Sequence, residues 1–490
     1  MRKIKSYVLS LIILCFTTLV FASCGESDET VKEEETPKVA LSISPLSLMF
    51  EADGGVKNFD IKVDEMTTWE LSNDASWITI TSVSGVGNEN VTIQVAANDV
   101  TASRTAIITV VAGEKSINVT VNQEAAPEEE YVVEGIPADA TQMSSMNSLQ
   151  VVSDMGIGWN VGNSLEAIGS ETAWGNPLIT KDLIDAVKAA GFNTVRIPVA
   201  WSKFSDTENY TIKTEWMARV QEVVDYVIDN DMYAMLNIHW DGGWMQPTYS
   251  KQDEVNKRLT LMWEQIAVNF RDYDYHLLFA GTNEVMVNGD YGTPIKEYYT
   301  VQNSFNKTFL NTVRATGGRN AYRYLVIQGF NTNIDHAVNF AVIPEDTVEN
   351  RMMMEVHYYD PYNFTLNESN DDIWQWGANA TDAGATETWA NESYVDSQFK
   401  KMKTKFVDNN IGVILGEYGA IARTNVEGHK AYRETYINYV TKSALAHDIA
   451  PIYWDNGYTG DHAFGLFNRA TATVAYPDLI QAMMNTGLSN

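Results

Sequence analysis

Lys181-Asp182-Leu183-Ile184-Asp185-Ala186-Val187-Lys188-Ala189-Ala190, followed within a few residues by Thr194-Val195-Arg196-Ile197-Pro198-Val199, carries the unit from which the fold is built. Its first part repeats apolar residues at helical spacing. Its second is a short β-rich run that ends in polar chemistry. The same alternation recurs beyond Met143, with amphipathic segments at Glu215 to Asp229, Asn256 to Phe270 and Phe305 to Ala315. The strand-like runs number eight: Ile157 to Val161, Thr194 to Val199, Tyr233 to Ile238, Leu277 to Ala280, Tyr324 to Gln328, Met352 to Val356, Val413 to Leu415 and Pro451 to Tyr453. Repeated βα units of this number and length predict an α/β fold, a closed (β/α)8 barrel, over residues 143–490.

Such a barrel places its chemistry at the C-terminal ends of its strands. The second run ends around Arg196, the third at His239, the fourth at Asn283-Glu284, the sixth at His357-Tyr358-Tyr359, the seventh at Glu417 and the eighth at Trp454. Strands four and seven of an eight-stranded barrel face each other, so Glu284 and Glu417 are expected about 5 Å apart. Two carboxyls at that distance suit cleavage of a glycosidic bond, one protonating the leaving oxygen and the other facing the oxocarbenium-like carbon. Like charges that close do not both ionise easily, so one is expected to keep its proton to higher pH as the acid. Arg196 is expected to hold the other as the anion.

The segments Gly158-Trp159-Asn160-Val161-Gly162-Asn163-Ser164-Leu165-Glu166, Asn237-Ile238-His239, Asn283-Glu284, His357-Tyr358-Tyr359-Asp360-Pro361-Tyr362, Gly416-Glu417-Tyr418-Gly419 and Tyr453-Trp454-Asp455-Asn456-Gly457 resemble glycoside hydrolase family 5. The resemblance covers nearly everything after residue 143 and is strongest to the endoglucanase subfamily that includes xyloglucanases, subfamily 4. It implies a retaining endo-acting β-1,4-glucan hydrolase with Glu284 as acid/base and Glu417 as nucleophile. By the same resemblance Asn283 bonds the sugar 2-hydroxyl, Tyr359 donates to the nucleophile, His239 and His357 line the subsite beside the cleaved bond, and Trp454 forms its floor. The substrate implied is xyloglucan, mixed-linkage glucan or a cellulose-type chain, with mannan as the alternative. Val285 departs from the family, in which many members have proline after the catalytic Glu.

Further polysaccharide contacts are expected from Trp240 and Trp244 after strand three, and from Trp374, Trp376 and Trp389 in the long connection Asp360 to Asn391, with loop packing as the competing role. Asn160, Asn163 and Glu166 either bind hydroxyls at remote subsites or cap their turn. No cofactor or metal is expected, since the seven histidines form no His-x-His or His-Glu-x-x-His pattern. Gly457 and Gly460 are too few for a phosphate-binding turn. A rival of another class, a surface glycan-binding protein on a dead enzyme scaffold, would have lost a catalytic carboxyl.

The 490 residues exceed one ordinary core. Residues 40–124 alternate with period two, as in Phe59-Asp60-Ile61-Lys62-Val63 and Val91-Thr92-Ile93-Gln94-Val95, which predicts a small all-β, immunoglobulin-like sandwich. Asn73-Asp74-Ala75-Ser76-Trp77-Ile78 and Val119-Thr120-Val121-Asn122-Gln123 resemble the BACON domain, in which Trp69 and Trp77 are either core or sugar platforms. Residues 24–39 read as an acidic tether and 125–142 as a linker. Residues 1–23 combine a positive head with a short apolar run, the pattern of a secretory signal. Phe21-Ala22-Ser23-Cys24 resembles a lipoprotein box, with Cys24 lipidated and the protein held at the outer membrane facing outwards. Cys15 and Cys24 are the only cysteines, so the body of the chain has no disulfide, zinc-thiolate site or cysteine nucleophile. A net charge of -30 argues against nucleic acid as a partner. Nothing in the sequence suggests an oligomer, and a monomer is expected.

Overall fold

The computed structural model describes residues 40–100, 102–126 and 133–486. They form two compact units, one within residues 40–126 and the other within 133–486. The expected signal segment, Cys24 and the expected tether lie outside the described residues. No helix among those residues is long and apolar enough to cross a membrane.

The first unit is a two-sheet sandwich. Ser42–Ser44, Gly55–Lys62, Glu89–Val95 and Ile78–Ile80 make a four-stranded sheet; Ser47–Phe50, Lys115–Gln123, Arg104–Ala112, Thr68–Asn73 and Ser84–Val86 make a five-stranded one. Alternate residues point inwards and close a core of Phe59, Ile61, Val91, Ile93, Ile108, Val110, Val119 and Val121. Trp69 is part of that core, its indole N–H donating to the Gly87 carbonyl at 2.9 Å. Trp77 is half-buried, with the Arg104 guanidinium 4.5 Å from its ring centre. Trp69 is therefore no sugar platform, and an arginine already lies over Trp77.

The second unit is a closed parallel barrel of eight strands: Gly158–Asn160, Thr194–Ile197, Tyr233–Asn237, Leu277–Ala280, Leu325–Gln328, Met352–Tyr358, Gly412–Tyr418 and Ile449–Tyr453. Each pairs with its sequence neighbour, and the first pairs with the eighth. Helices expected at 256–270 and 305–315 begin earlier, as Tyr249–Asn269 and Lys296–Ala315. Their first turns are largely polar and carry little hydrophobic periodicity. The sixth and seventh strands run past their expected ends because polar residues there bond to each other inside the barrel. Ile136–Ala138, read as the end of a linker, pairs with Gly317–Gly318 and belongs to the barrel unit.

The barrel interior has an apolar lower part and a charged top. Below, Tyr233, Met235, Leu278, Tyr324, Val326, Met353, Ile414 and Ile452 pack together. The helix Ser148–Met155 plugs that end with Val151, Val152 and Met155. Its entry is fixed by a capping box in which Asn147 and Gln150 each accept the other's backbone N–H. Further up the same inward faces, at steps of two residues, the apolar side chains give way to Arg196, Gln328, Glu355 and His357.

Candidate active site

Arg196 organises the top of the barrel. It projects inwards from the second strand with no exposed surface. Its Nη1 donates to Asn160 Oδ1 and to Glu417 Oε1, both at 2.9 Å, and its Nη2 donates to Asn283 Oδ1. Its Nε lies 2.8 Å from Glu355 Oε1. One guanidinium thus ties strands one, two, six and seven to the loop after strand four, using a planar fork that lysine lacks.

Glu417 reaches this cluster through a bulge. Strands six and seven are in step up to Val356 and Leu415, and then His357 pairs with Glu417, which leaves Gly416 as an extra residue. The extra residue breaks the period of two and re-aims Glu417 into the barrel. Its Oε2 accepts the Tyr359 hydroxyl at 3.1 Å. Glu284 arrives from strand four with a left-handed backbone, φ 49°. Its backbone N–H donates to Gln328 Oε1 at 3.2 Å.

His357 lies between the two carboxylates. Its Nδ1 is 2.7 Å from Glu284 Oε1 and 3.6 Å from Glu417 Oε2. One oxygen of Glu284 and one of Glu417 lie within 4.8 Å of each other, at the spacing of a pair that traps a sugar covalently. Burial opposes the imidazolium, but Glu417, Glu284 and Glu355 around it outweigh that and push His357 up to about 9. Burial likewise opposes charge on Glu284, yet the bond and charge of His357, with Arg196 beyond, hold its carboxyl below the usual value. Burial raises Glu417, with His357 and Arg196 offsetting part of the effect. The lowered direction at Glu284 runs against the expectation that this carboxyl alone keeps its proton to higher pH. Glu284 Oε1 and His357 Nδ1 lie 2.7 Å apart, so the pair can hold one proton between them, and the charge of His357 opposes a second on Glu284.

Glu284, His357 and Glu417 are also the described residues whose donor atoms come close enough together to hold a metal ion. The Arg196 guanidinium already occupies one face of Glu417 and Tyr359 donates to the other oxygen, so a second cation there would meet a fixed positive charge.

Around this pair, His239 stacks on Trp454 with ring centres 5.9 Å apart and planes 7° from parallel. A Cβ on Gly162 would lie 2.8 Å from the Trp454 ring, so only glycine lets the loop after strand one pass beneath that indole. Asn163 follows in that loop, half-buried with φ 57°. Trp240 is 53% exposed and lines a small recess with Asn283 and Glu284. On the other side of Glu284 a cavity of about 750 Å³ opens between Tyr291, Asp335 and Tyr362.

The structure overturns one expected sugar contact, Trp376, and decides between the open roles of Asn160, Glu166 and Trp244. Trp376 is fully buried, its indole N–H bonded to the Ala390 carbonyl at 2.7 Å and its ring edge-on to Tyr436. It is core and not a sugar contact, because the long connection folds back over helix His429–Ala446. Asn160 is fully buried between Arg196 and the Gly416 carbonyl, so it binds no hydroxyl. Glu166 caps its turn, accepting the backbone N–H groups of Asn163 and Ser164. Trp244 is bonded to Asp241, and the Arg258 guanidinium lies 4.2 Å from its ring centre, which makes it packing as well. Trp389 stays 51% exposed against Tyr394. Sequence reasoning missed Glu355 and Gln328. The signal was present in Met353, Glu355 and His357, where period two puts a carboxylate on the same inward face as a histidine singled out on other grounds.

A parallel eight-stranded barrel whose fourth and seventh strands bring two carboxylates together over an arginine is the framework of a glycoside hydrolase. Residues 160–460 match the family described as Cellulase (glycosyl hydrolase family 5), and residues 67–124 match BACON, a putative N-terminal binding domain. The chain belongs to glycosyl hydrolase family 5. It is 40% identical over 500 residues to a xyloglucan-specific endo-β-1,4-glucanase of Bacteroides ovatus, covering 98% of this chain and 96% of the relative. A solved Bacteroides ovatus family 5 xyloglucanase in complex with an XXXG heptasaccharide superimposes with a TM-score of 0.69 at 39% identity, covering 92% of this chain and 99% of that one. A family 5 xyloglucanase from Paenibacillus pabuli does so with a TM-score of 0.67 at 41% identity, covering 69% and 100%.

Proposed function

We propose that this protein is an endo-β-1,4-glucanase acting on xyloglucan by a retaining double displacement, with Glu417 as nucleophile and Glu284 as acid/base. The observation that carries this reading is the separation of the two carboxylates, within 4.8 Å across the barrel mouth. Glu417 attacks the anomeric carbon as the glycosidic C–O bond breaks, and the leaving oxygen takes the proton that His357 passes through Glu284. Water then gives its proton through Glu284 back to His357 as its oxygen displaces Glu417, which restores both carboxylates, the protonated imidazole and the original anomeric configuration. Arg196 and Tyr359 hold Glu417 in line. Asn283, whose Oδ1 is taken by Arg196, offers its NH2 to the sugar 2-hydroxyl. Trp454 and His239 form the floor, with Trp240 and the loop at Asn163 beside it.

Xyloglucan is favoured within the β-glucans by the relatives at about this identity and by the cavity of about 750 Å³ beside Glu284, which leaves room for branched residues. The resemblance of the motifs around residues 158–166 and 357–362 supports our further assignment of the chain to subfamily 4. We further propose that Cys24 carries a lipid that holds a monomeric enzyme at the outer membrane, facing outwards. Digestion of xyloglucan, mixed-linkage glucan, carboxymethylcellulose and mannan tests the substrate, with anomeric configuration followed by NMR. Xyloglucan should be cut fastest, with β products first. Faster cleavage of mannan, or α products first, would overturn the proposal, as would undiminished turnover by Glu417→Ala.

A further inference from the structure

The two-carboxyl reaction leaves Glu355 without a role, yet the barrel is built around it. Its side chain has no exposed surface. Oε1 lies 2.8 Å from Arg196 Nε and 3.3 Å from His357 Nε2, and Oε2 accepts the Gln328 side-chain N–H at 2.6 Å. A Cβ on Gly416 would lie 2.0 Å from Oε1. Glycine precedes the nucleophile because the inward slot at that level of strand seven is filled by the carboxylate from strand six. Taking a carboxylate out of water is costly even when it is paired, so a carboxylate that adds only packing is a poor use of this position.

We propose that Glu355 is a positioning residue that fixes Arg196 against Glu417 and keeps a proton on the His357–Glu284 pair. This rests on the reading of Glu284 and Glu417 as the reacting carboxyls. Glu284, Glu355 and Glu417 carry three negative charges, and Arg196 and protonated His357 two positive ones, so the cluster is one charge negative and favours keeping a proton. The remaining groups that face it contribute no charge. His239 is held neutral by burial, with Arg196 and His357 adding to the effect, and the buried Tyr359 hydroxyl stays protonated. Gln328, from strand five, is an amide. A negative charge 3.3 Å from His357 Nε2 stabilises the protonated form of the pair, so Glu355 raises the pH at which the acid proton is lost.

The test is the pH profile of kcat/KM on soluble xyloglucan for wild type, Glu355→Gln and Glu355→Asp, with thermal melting measured alongside. Glu355→Gln removes one negative charge and should move the alkaline limb down by about one pH unit. Glu355→Asp keeps the charge but withdraws it, so its limb should move the same way by less. The Asp variant alone still decides the matter should the Gln variant not fold. Superimposable alkaline limbs would overturn the proposal and leave Glu355 a packing residue, whatever the melting temperatures do. Glu417→Ala is assayed in parallel. A dead Glu417→Ala with an unmoved Glu355 limb removes this inference alone, whereas an active Glu417→Ala removes the catalytic reading beneath it.

Discussion

At the scale of the single residue, the chemistry depends on where one proton sits. Glu284 and His357 lie 2.7 Å apart, and the pair holds the proton that the leaving oxygen takes. Glu284→Ala removes the acid and should cost about 10²–10⁴-fold on xyloglucan, the range typical of general acid catalysis. On an aryl glycoside whose phenolate departs unaided, glycosylation should be nearly spared, and a burst of phenol followed by a slow steady state is the measurement that shows it. His357 also links pH to stability. Its folded value of about 9 lies above its ordinary 6.5, so its contribution is complete below about 6.5 and disappears as pH rises through about 9. Urea midpoints of the wild type should fall across that window, and those of His357→Asn should fall less.

At the scale of the element, the sixth and seventh strands and the long connection between them do different work. The bulge at Gly416 turns one strand's side chains through the period of two and delivers Glu417 to Arg196. The connection carries Trp376 inwards onto Tyr436 and Tyr439, so that ring holds the loop against its helix. Trp376→Ala should cost about 3–5 kcal/mol of stability, the usual penalty for emptying a buried aromatic site. KM for xyloglucan should stay near the wild-type value at temperatures where the variant is folded. A large rise in KM with unchanged stability, read from melting curves and initial rates together, would return Trp376 to the cleft. Both elements were partly legible. Glu284, Glu417 and Arg196 stood at the ends of recognisable apolar runs, but the side a loop tryptophan faces depends on a helix that follows some fifty residues later.

At the scale of the whole molecule, the chain joins a sandwich with its own core to a barrel with its own core. If lipid at Cys24 holds the enzyme at a membrane, Cys24→Ala should release it to the soluble fraction. The specific activity of the released protein on soluble xyloglucan should equal that of detergent-solubilised wild type, since no barrel residue is altered. Immunoblots of membrane and soluble fractions check the first outcome and reducing-end assays the second; a Cys24→Ala protein that still partitions with membranes rules out the anchor.

What the amino-acid order determined by itself was the eightfold alternation of strand and helix, the identity of the residues at the strand ends and the pairing of Glu284 with Glu417. These follow from periods of 2 and 3.6 residues, which are local, and from the convergence of all eight strand ends on one barrel mouth, where only two strands separate the fourth from the seventh. Only the tertiary structure decided that Glu355 joins them, that Gly416 is glycine because Glu355 lies against it, that Asn160 and Trp376 are buried, and that His357 sits between the two carboxylates. Those outcomes are set by charges and volumes brought together through space when the barrel closes, and no local repeat carries them.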